Sequence, residues 1–126
     1  MLNRYNVETV NKLQSVKRGE VYWCEFEEST IGSEQNKTRP VLIIQNDIGN
    51  KYSPTTIVAI ISSQLKATHL PTHIRMDEHC GLNCDSQVEL EQIKTIDKRR
   101  LTRYVGKISP DTVEKVNKAL LVSIFA

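Results

Sequence analysis

Two short runs of β-branched apolar residues, Val41–Ile44 and Ile57–Ile61, constrain the fold of this chain more than any other feature. Valine and isoleucine pack well on a pleated sheet, and a continuous apolar run indicates a strand that is covered on both faces. The intervening segment, DIGNKYSP at 47–54, is dense in turn-forming residues. We therefore expect two strands joined by a turn, the second of which, Thr56–Ser63, is buried on both faces.

The remaining apolar pattern predicts a mainly β fold. Short amphipathic segments recur along the chain and are separated by polar loops, and Asp97–Leu101 is expected to form a short helical turn. Five or six strands at such short spacing, with one closing helix, indicate a small, strongly curved antiparallel barrel. The expected strands begin near Lys17 (through GEVYWCEF) and continue with Pro40–Asn46, Thr56–Ser63, Thr72–Met76, Gln87–Ile93 and Arg103–Ile108.

A terminal helix is expected from Ser109 onward. Serine is a favoured N-cap, Pro110 suits the first helical position, and Asp111 places an acid in the first turn. The helix should bury an apolar face formed by Val113, Val116, Leu120 and Ile124.

Length and composition indicate one globular domain of 126 residues. The polar segment 1–16 is expected to be an N-terminal extension, and 17–126 to be the domain itself. No apolar run approaches the ~20 residues that a membrane-spanning helix requires. Three cysteines are too few for a disulfide framework, which favours a reducing cytoplasm.

A zinc site is one interpretation of Cys80 and Cys84 together with the neighbouring His79. A structural zinc ion usually has four ligands from two paired clusters, and no convincing second pair follows in the sequence. Free thiols are the better interpretation, so neither a metal nor a cofactor is predicted.

The charge distribution is uneven although the net charge is only +2. The segment 94–107, KTIDKRRLTRYVGK, carries six basic side chains and one aspartate. Such a segment can attract a phosphate backbone without regard to its sequence, or can simply be a solvated face.

Three residues are candidates for phosphate chemistry. Arg39 precedes one apolar run and can contact phosphate oxygens through two donors, whereas a permanently charged guanidinium is a poor base. Ser62 ends the other run and can donate to the same phosphate. Glu34, in the polar loop before Arg39, is the nearby carboxylate that could accept a proton. Each of the three also has an ordinary structural interpretation.

Side-chain amides and rings near these residues are candidates for reading bases. His73 could stack on a base or hydrogen-bond to it, or could be a half-buried strand residue. Trp23 is interpreted as a core residue rather than a stacking platform. The predicted RNA-binding residues are Gln64, His73, Ser63, Gln92 and Gln35.

Five segments together resemble the MazF/PemK family of toxin endoribonucleases: RGEVYWCEF, GSEQNKTRPVLIIQND, NKYSPTTIVAIISSQ, LPTHI and LEQIKTIDKRRL. The resemblance implies an SH3-like, CcdB/PemK-type barrel that forms a homodimer. It also implies metal-independent cleavage of single-stranded RNA at short sequences, leaving a 2′,3′-cyclic phosphate and a 5′-hydroxyl. By the same resemblance Arg39 is the catalytic arginine, Ser62 stands where the family usually has threonine, and Glu34 is the loop glutamate near the scissile phosphate.

The resemblance further implies a partner, an acidic MazE-like antitoxin whose C-terminal segment neutralises the toxin. Operator DNA would be reached only through that antitoxin, and no membrane is involved.

Two other functions are compatible with the residues alone. A CcdB-like gyrase inhibitor shares the barrel, but its resemblance would require a tryptophan close to the C-terminus, where this chain reads LLVSIFA. A catalytically weakened nucleic-acid-binding module would follow if serine at position 62 disables cleavage. RNA binding without cleavage would identify that module.

Overall fold

The computed structural model describes residues 15–26, 37–77 and 80–125, and a six-stranded antiparallel sheet dominates these segments. The strands lie in the order β4-β5-β3-β2-β1-β6. They span β1 Glu20–Phe26, β2 Lys37–Ile43, β3 Thr55–Ser62, β4 His73–Arg75, β5 Gln87–Asp97 and β6 Leu101–Lys107. The helices are α1 Asp47–Tyr52 and α2 Pro110–Leu120, with a 3-10 turn at Lys98–Arg100 and a π turn at Leu121–Phe125.

The predicted fold class, mainly β with a C-terminal helix, is confirmed. Within the described residues the edge strands β4 and β6 do not pair with each other, so the sheet is open rather than a closed barrel. None of the described helices has the length and apolar character needed to cross a membrane.

Strands β2 and β3 are each covered on both faces, which confirms the prediction made for β3. Leu42 and Ala59 pack in one apolar cluster together with Val116 of α2. Their strand neighbours Val41 and Val58 point the other way, into a second cluster that lies on the opposite face of the sheet. That second cluster also buries Val16, the last residue of the expected N-terminal extension.

The segment between these two strands is a short helix, α1, and the expectation of turns over 47–54 is wrong. Asn46 caps the helix by accepting a hydrogen bond from the Gly49 backbone N–H at 2.8 Å. Asn50 is fully buried, where its amide donates to the Gln45 carbonyl at 2.9 Å and its oxygen accepts from the Thr56 hydroxyl at 2.7 Å. Asparagine and glycine are common in turns and also at helix caps, which explains the misassignment.

The terminal helix α2 begins as predicted. The Ser109 hydroxyl accepts from the Thr112 backbone N–H at 3.3 Å and donates to Asp77 at 2.8 Å, which fixes the helix start against the loop after β4. Ile124, however, is 70% exposed and is not part of the buried face. The α-helix ends at Leu120 and a π turn follows, so the helical periodicity no longer applies at residue 124.

The loop before β5 lies against β6 because of two glycines. Gly81 has φ +92°, and a Cβ atom at this position would lie 2.4 Å from the Val105 carbonyl oxygen. A Cβ at Gly106 would lie equally close, 2.4 Å, to the Cys80 carbonyl oxygen. The two backbones therefore approach more closely than any side chain would permit.

Candidate functional site

A cleft of about 530 Å³ opens where β2 begins and β3 ends. Arg39 from β2 and Ser62 from β3 both line it. The opposite wall is formed by the loop before β5, with Asn83 and Cys84, and Trp23 of β1 contributes as well. The cleft thus combines a cation, a hydroxyl, an amide and an aromatic ring.

The strand register indicates that the arginine and the serine lie near each other. The ladder between β2 and β3 ends at the pair Val41–Ile60, and the same register continued by two residues beyond that pair would set Arg39 against Ser62. Side chains alternate along a strand, so both residues share the face occupied by Val41 and Ile60. Side chains directly opposite in such a pair start with Cβ atoms about 5 Å apart, which lets both reach one phosphate group.

The Ser62 hydroxyl has a defined orientation. Its oxygen accepts a hydrogen bond from the Gln64 backbone N–H at 3.0 Å, and the hydroxyl donates to the Gln64 carbonyl oxygen at an O···O distance of 3.3 Å. The second contact is long for a hydroxyl donor, so the proton can turn to a stronger acceptor such as a phosphate oxygen without loss of the first bond.

The structure brings some of the predicted site residues together and leaves others apart. Ser63 and Gln64 are exposed and line the same cleft as the arginine and the serine. Gln92 is exposed on β5 and His73 lies on β4, and neither lines the cleft. Glu34 and Gln35 lie outside the described residues.

His73 is engaged at both ring nitrogens. Its Nε2 lies 2.8 Å from a Glu91 carboxylate oxygen and its Nδ1 lies 3.0 Å from the Lys66 carbonyl oxygen. Burial lowers the pKa of the imidazole, but the hydrogen bonds to Glu91 and Lys66 and the negative charges of Glu91 and Glu89 outweigh it, so the pKa is raised. Contact with a base would therefore require one of these bonds to be exchanged.

Among the described residues, His73 and two neighbouring glutamates have side chains close enough together to hold a metal ion. Potential ligand atoms of His73, Glu89 and Glu91 lie within 4.8 Å of one another. The imidazole already forms an ion pair with one of these carboxylates, and Gln87 donates to the other at 3.0 Å. Cys80 is buried and Cys84 exposed, both as free thiols, and His79 lies outside the described residues.

Three cleft residues were not selected from the sequence. Asn83 and Cys84 reach the cleft only because the glycine contacts with β6 hold their loop in place. Trp23, interpreted from the sequence as core, is half-buried and pairs across the sheet with Arg103 of β6. The alternating pattern of β1 predicts that the Trp23 side chain faces inward. It cannot show that the cleft at the end of the sheet leaves part of this side chain accessible.

The sequence and fold match those of a defined class of toxins. The family model for the PemK-like, MazF-like toxin of type II toxin–antitoxin systems matches residues 17–124. This chain therefore belongs to that family, and the resemblance predicted from the sequence is confirmed.

Within the family the chain is similar to a named ribonuclease. It is 48% identical over 110 residues to Endoribonuclease EndoA of Bacillus subtilis (strain 168), covering 86% of this chain and 94% of that protein.

Solved structures share the fold. An endoribonuclease in complex with its cognate antitoxin from a mycobacterial species has a TM-score of 0.72 at 25% identity, covering 87% of this chain and 95% of its own. The Mycobacterium tuberculosis toxin MazF-mt6 has a TM-score of 0.69 at 22% identity, covering 82% of this chain and 94% of its own.

Proposed function

We propose that this toxin is an endoribonuclease that cuts single-stranded RNA, including mRNA, at short recognition sequences. The observation that carries the proposal is that Arg39 and Ser62 line one cleft. The family membership and the 48% identity to an endoribonuclease support the same activity.

The reaction follows from what these side chains can do. The 2′-hydroxyl of the RNA loses its proton to a base and attacks the adjacent phosphorus, and the 5′-oxygen departs and takes up a proton from water, which leaves a 2′,3′-cyclic phosphate and a 5′-hydroxyl. Arg39 stabilises the negative charge that develops on the phosphorane and on the leaving oxygen. Ser62 donates to a non-bridging oxygen and fixes the phosphate, and Glu34 is proposed to accept the 2′-hydroxyl proton. No metal ion enters this mechanism.

Sequence readout is assigned to side chains beside the reacting phosphate. Ser63 and Gln64 lie in the cleft and can hydrogen-bond to the edges of unstacked bases. Gln35 is proposed to act from the loop that precedes Arg39. His73 and Gln92 lie farther along the sheet and are proposed to contact flanking nucleotides.

The proposed physiological state is a cytoplasmic homodimer whose domain spans 17–126 and follows an extension over 1–16. Its partner is an acidic, MazE-like antitoxin, and operator DNA is contacted only through it. The antitoxin C-terminal segment is proposed to occupy the RNA cleft, where its carboxylates would face Arg39. An antitoxin and an uncleavable RNA that bind the same dimer together without loss of affinity would contradict this competition.

The proposal is tested by incubating a long RNA in EDTA with wild type and Arg39→Ala, followed by mapping of 5′-hydroxyl ends. Lys115→Ala is the control, because it removes an exposed positive charge on α2 that lies outside both the cleft and the basic segment 94–107. We expect cuts at one recurring sequence with wild type and the control, and none with Arg39→Ala. Equal cleavage by Arg39→Ala, or RNA binding without cleavage by wild type, would contradict the assignment.

A further inference from the structure

Gln87 is a buried polar residue that lies next to the site. The proposed mechanism assigns no role to Gln87. It is the first residue of β5, is only 1% exposed, and pairs directly with Ser62 of β3. Its amide nitrogen donates to the Lys66 carbonyl at 3.0 Å and to a Glu89 carboxylate oxygen at 3.0 Å. It also lies 3.1 Å from the His73 Nδ1 atom.

The three neighbours of this amide define one consistent set of hydrogen bonds. An amide nitrogen has two protons, so it can donate to two of the three groups. Both partners of the His73 ring, the Lys66 carbonyl at Nδ1 and the Glu91 carboxylate at Nε2, are acceptors, so a ring with protons on both nitrogens donates to each of them and does not accept from Gln87. The two protons of Gln87 consequently go to Lys66 and Glu89. The Lys66 carbonyl thus accepts two hydrogen bonds, one from His73 of β4 and one from Gln87 of β5.

This anchored carbonyl is connected to the hydroxyl of Ser62 by the backbone of the intervening loop. The Lys66 N–H donates to the Gln64 carbonyl at 3.0 Å, and the Gln64 N–H donates to the Ser62 hydroxyl oxygen at 3.0 Å. Ser62, Gln64 and Lys66 therefore form a short hydrogen-bonded series. One end of the series is the proposed phosphate donor, and the other is held by the buried amide.

We infer that Gln87 is a positioning residue for the cleavage reaction, which acts through the loop 63–66 on the orientation of the Ser62 hydroxyl. The inference rests on the proposed ribonuclease function. Gln87 does not line the cleft and does not touch the RNA in this account. Its effect should therefore appear in kcat rather than in KM, and should depend on Ser62 being present.

The test is single-turnover and steady-state cleavage by Gln87→Leu, which keeps the side-chain volume but removes both donors. Thr56→Val is the matched control, because Thr56 is equally buried in β3 and loses a hydrogen bond to Asn50 outside the cleft. Misplacement of a reacting group by about 1 Å lowers a rate roughly 100-fold, so we expect Gln87→Leu to lower kcat about 10- to 100-fold with KM little changed. The control should lose thermal stability but keep its kcat.

A double-mutant cycle separates positioning from a general loss of structure. If Gln87 acts through Ser62, Gln87→Leu should have little further effect in a Ser62→Ala background. The same loss of kcat in both backgrounds, or no loss in wild type, would overturn the inference.

Amide hydrogen exchange provides a second measurement should Ser62→Ala prove too slow to assay. Gln87→Leu should increase exchange at Gln64 and Lys66 and leave α2 protected, whereas unchanged exchange at those two amides would overturn the inference. Failure of wild type to cleave RNA at all would instead refute the proposed function, and with it the role assigned to Gln87.

Discussion

Replacing Gly81 with alanine tests how the wall of the cleft is held in place. The residue has φ +92°, and a Cβ there would lie 2.4 Å from the Val105 carbonyl oxygen, a backbone atom that cannot rotate away. An L residue in a left-handed conformation costs about 1–2 kcal/mol. Overpacking against a neighbour typically adds about 1–3 kcal/mol. We therefore expect Gly81→Ala to lower the free energy of unfolding by about 3 kcal/mol.

The assay is urea unfolding at one fixed protein concentration, since dimer formation makes the midpoint concentration-dependent. With a urea slope of about 1.5 kcal/mol per molar, the midpoint should fall by about 2 M. Gly19→Ala is the control, because Gly19 has nearly the same φ, +93°, but a Cβ there would meet no atom closer than 3.9 Å. We expect that control to lose only the conformational cost of about 1–2 kcal/mol. Equal midpoints for Gly81→Ala and wild type would refute the close approach of the loop to β6.

Further predictions concern the buried network, the imidazole, the cleft thiol and the serine. Asn50→Leu should destabilise the fold by about 2–4 kcal/mol in urea unfolding, because it removes the acceptor of the Thr56 hydroxyl and one of the two acceptors of the Gln45 amide. The raised pKa of His73 adds stability that is complete below its ordinary value of 6.5 and is lost as the pH rises through the raised value; His73→Asn should abolish that decline in a pH series of thermal melts. Cys84 should react readily with iodoacetamide and be protected by uncleavable RNA, whereas burial raises the pKa of Cys24 to about 12 and should leave it unlabelled. Ser62→Thr should match or exceed wild-type cleavage; a change from no activity to robust activity would show that serine is disabling.

Much of the fold could be predicted because local and long-range signals agree. The β-branched runs define two strands that are buried on both faces, and the Ser109 cap with Pro110 defines the start of α2. Arg39 precedes the first run and Ser62 follows the second, so antiparallel pairing of the two runs brings them to the same end of the sheet. This part of the site follows from strand polarity together with the register.

Other features depend on contacts that a linear pattern does not contain. Asn46 and Gly49 cap α1 with the same residue types that make turns, so the helix could not be distinguished from its sequence. The cluster around Gln87 joins β4, β5 and the loop after β3, and only the strand register brings these segments together. The loop that carries Asn83 lies against β6 because Gly81 faces the Val105 carbonyl and Gly106 faces the Cys80 carbonyl, and these contacts cannot be predicted without knowledge of the facing strand.

The central claim is that Arg39 and Ser62 promote attack by the 2′-hydroxyl of RNA. Its most direct test is single-turnover cleavage, in EDTA, of an oligonucleotide that contains the mapped sequence, compared with the same oligonucleotide carrying one 2′-deoxy substitution at the scissile position. We predict a 2′,3′-cyclic phosphate and a 5′-hydroxyl by mass spectrometry, complete resistance of the deoxy substrate, and no cyclic product with Arg39→Ala. Cleavage of the deoxy substrate, or products with a 3′-hydroxyl and a 5′-phosphate, would contradict the account.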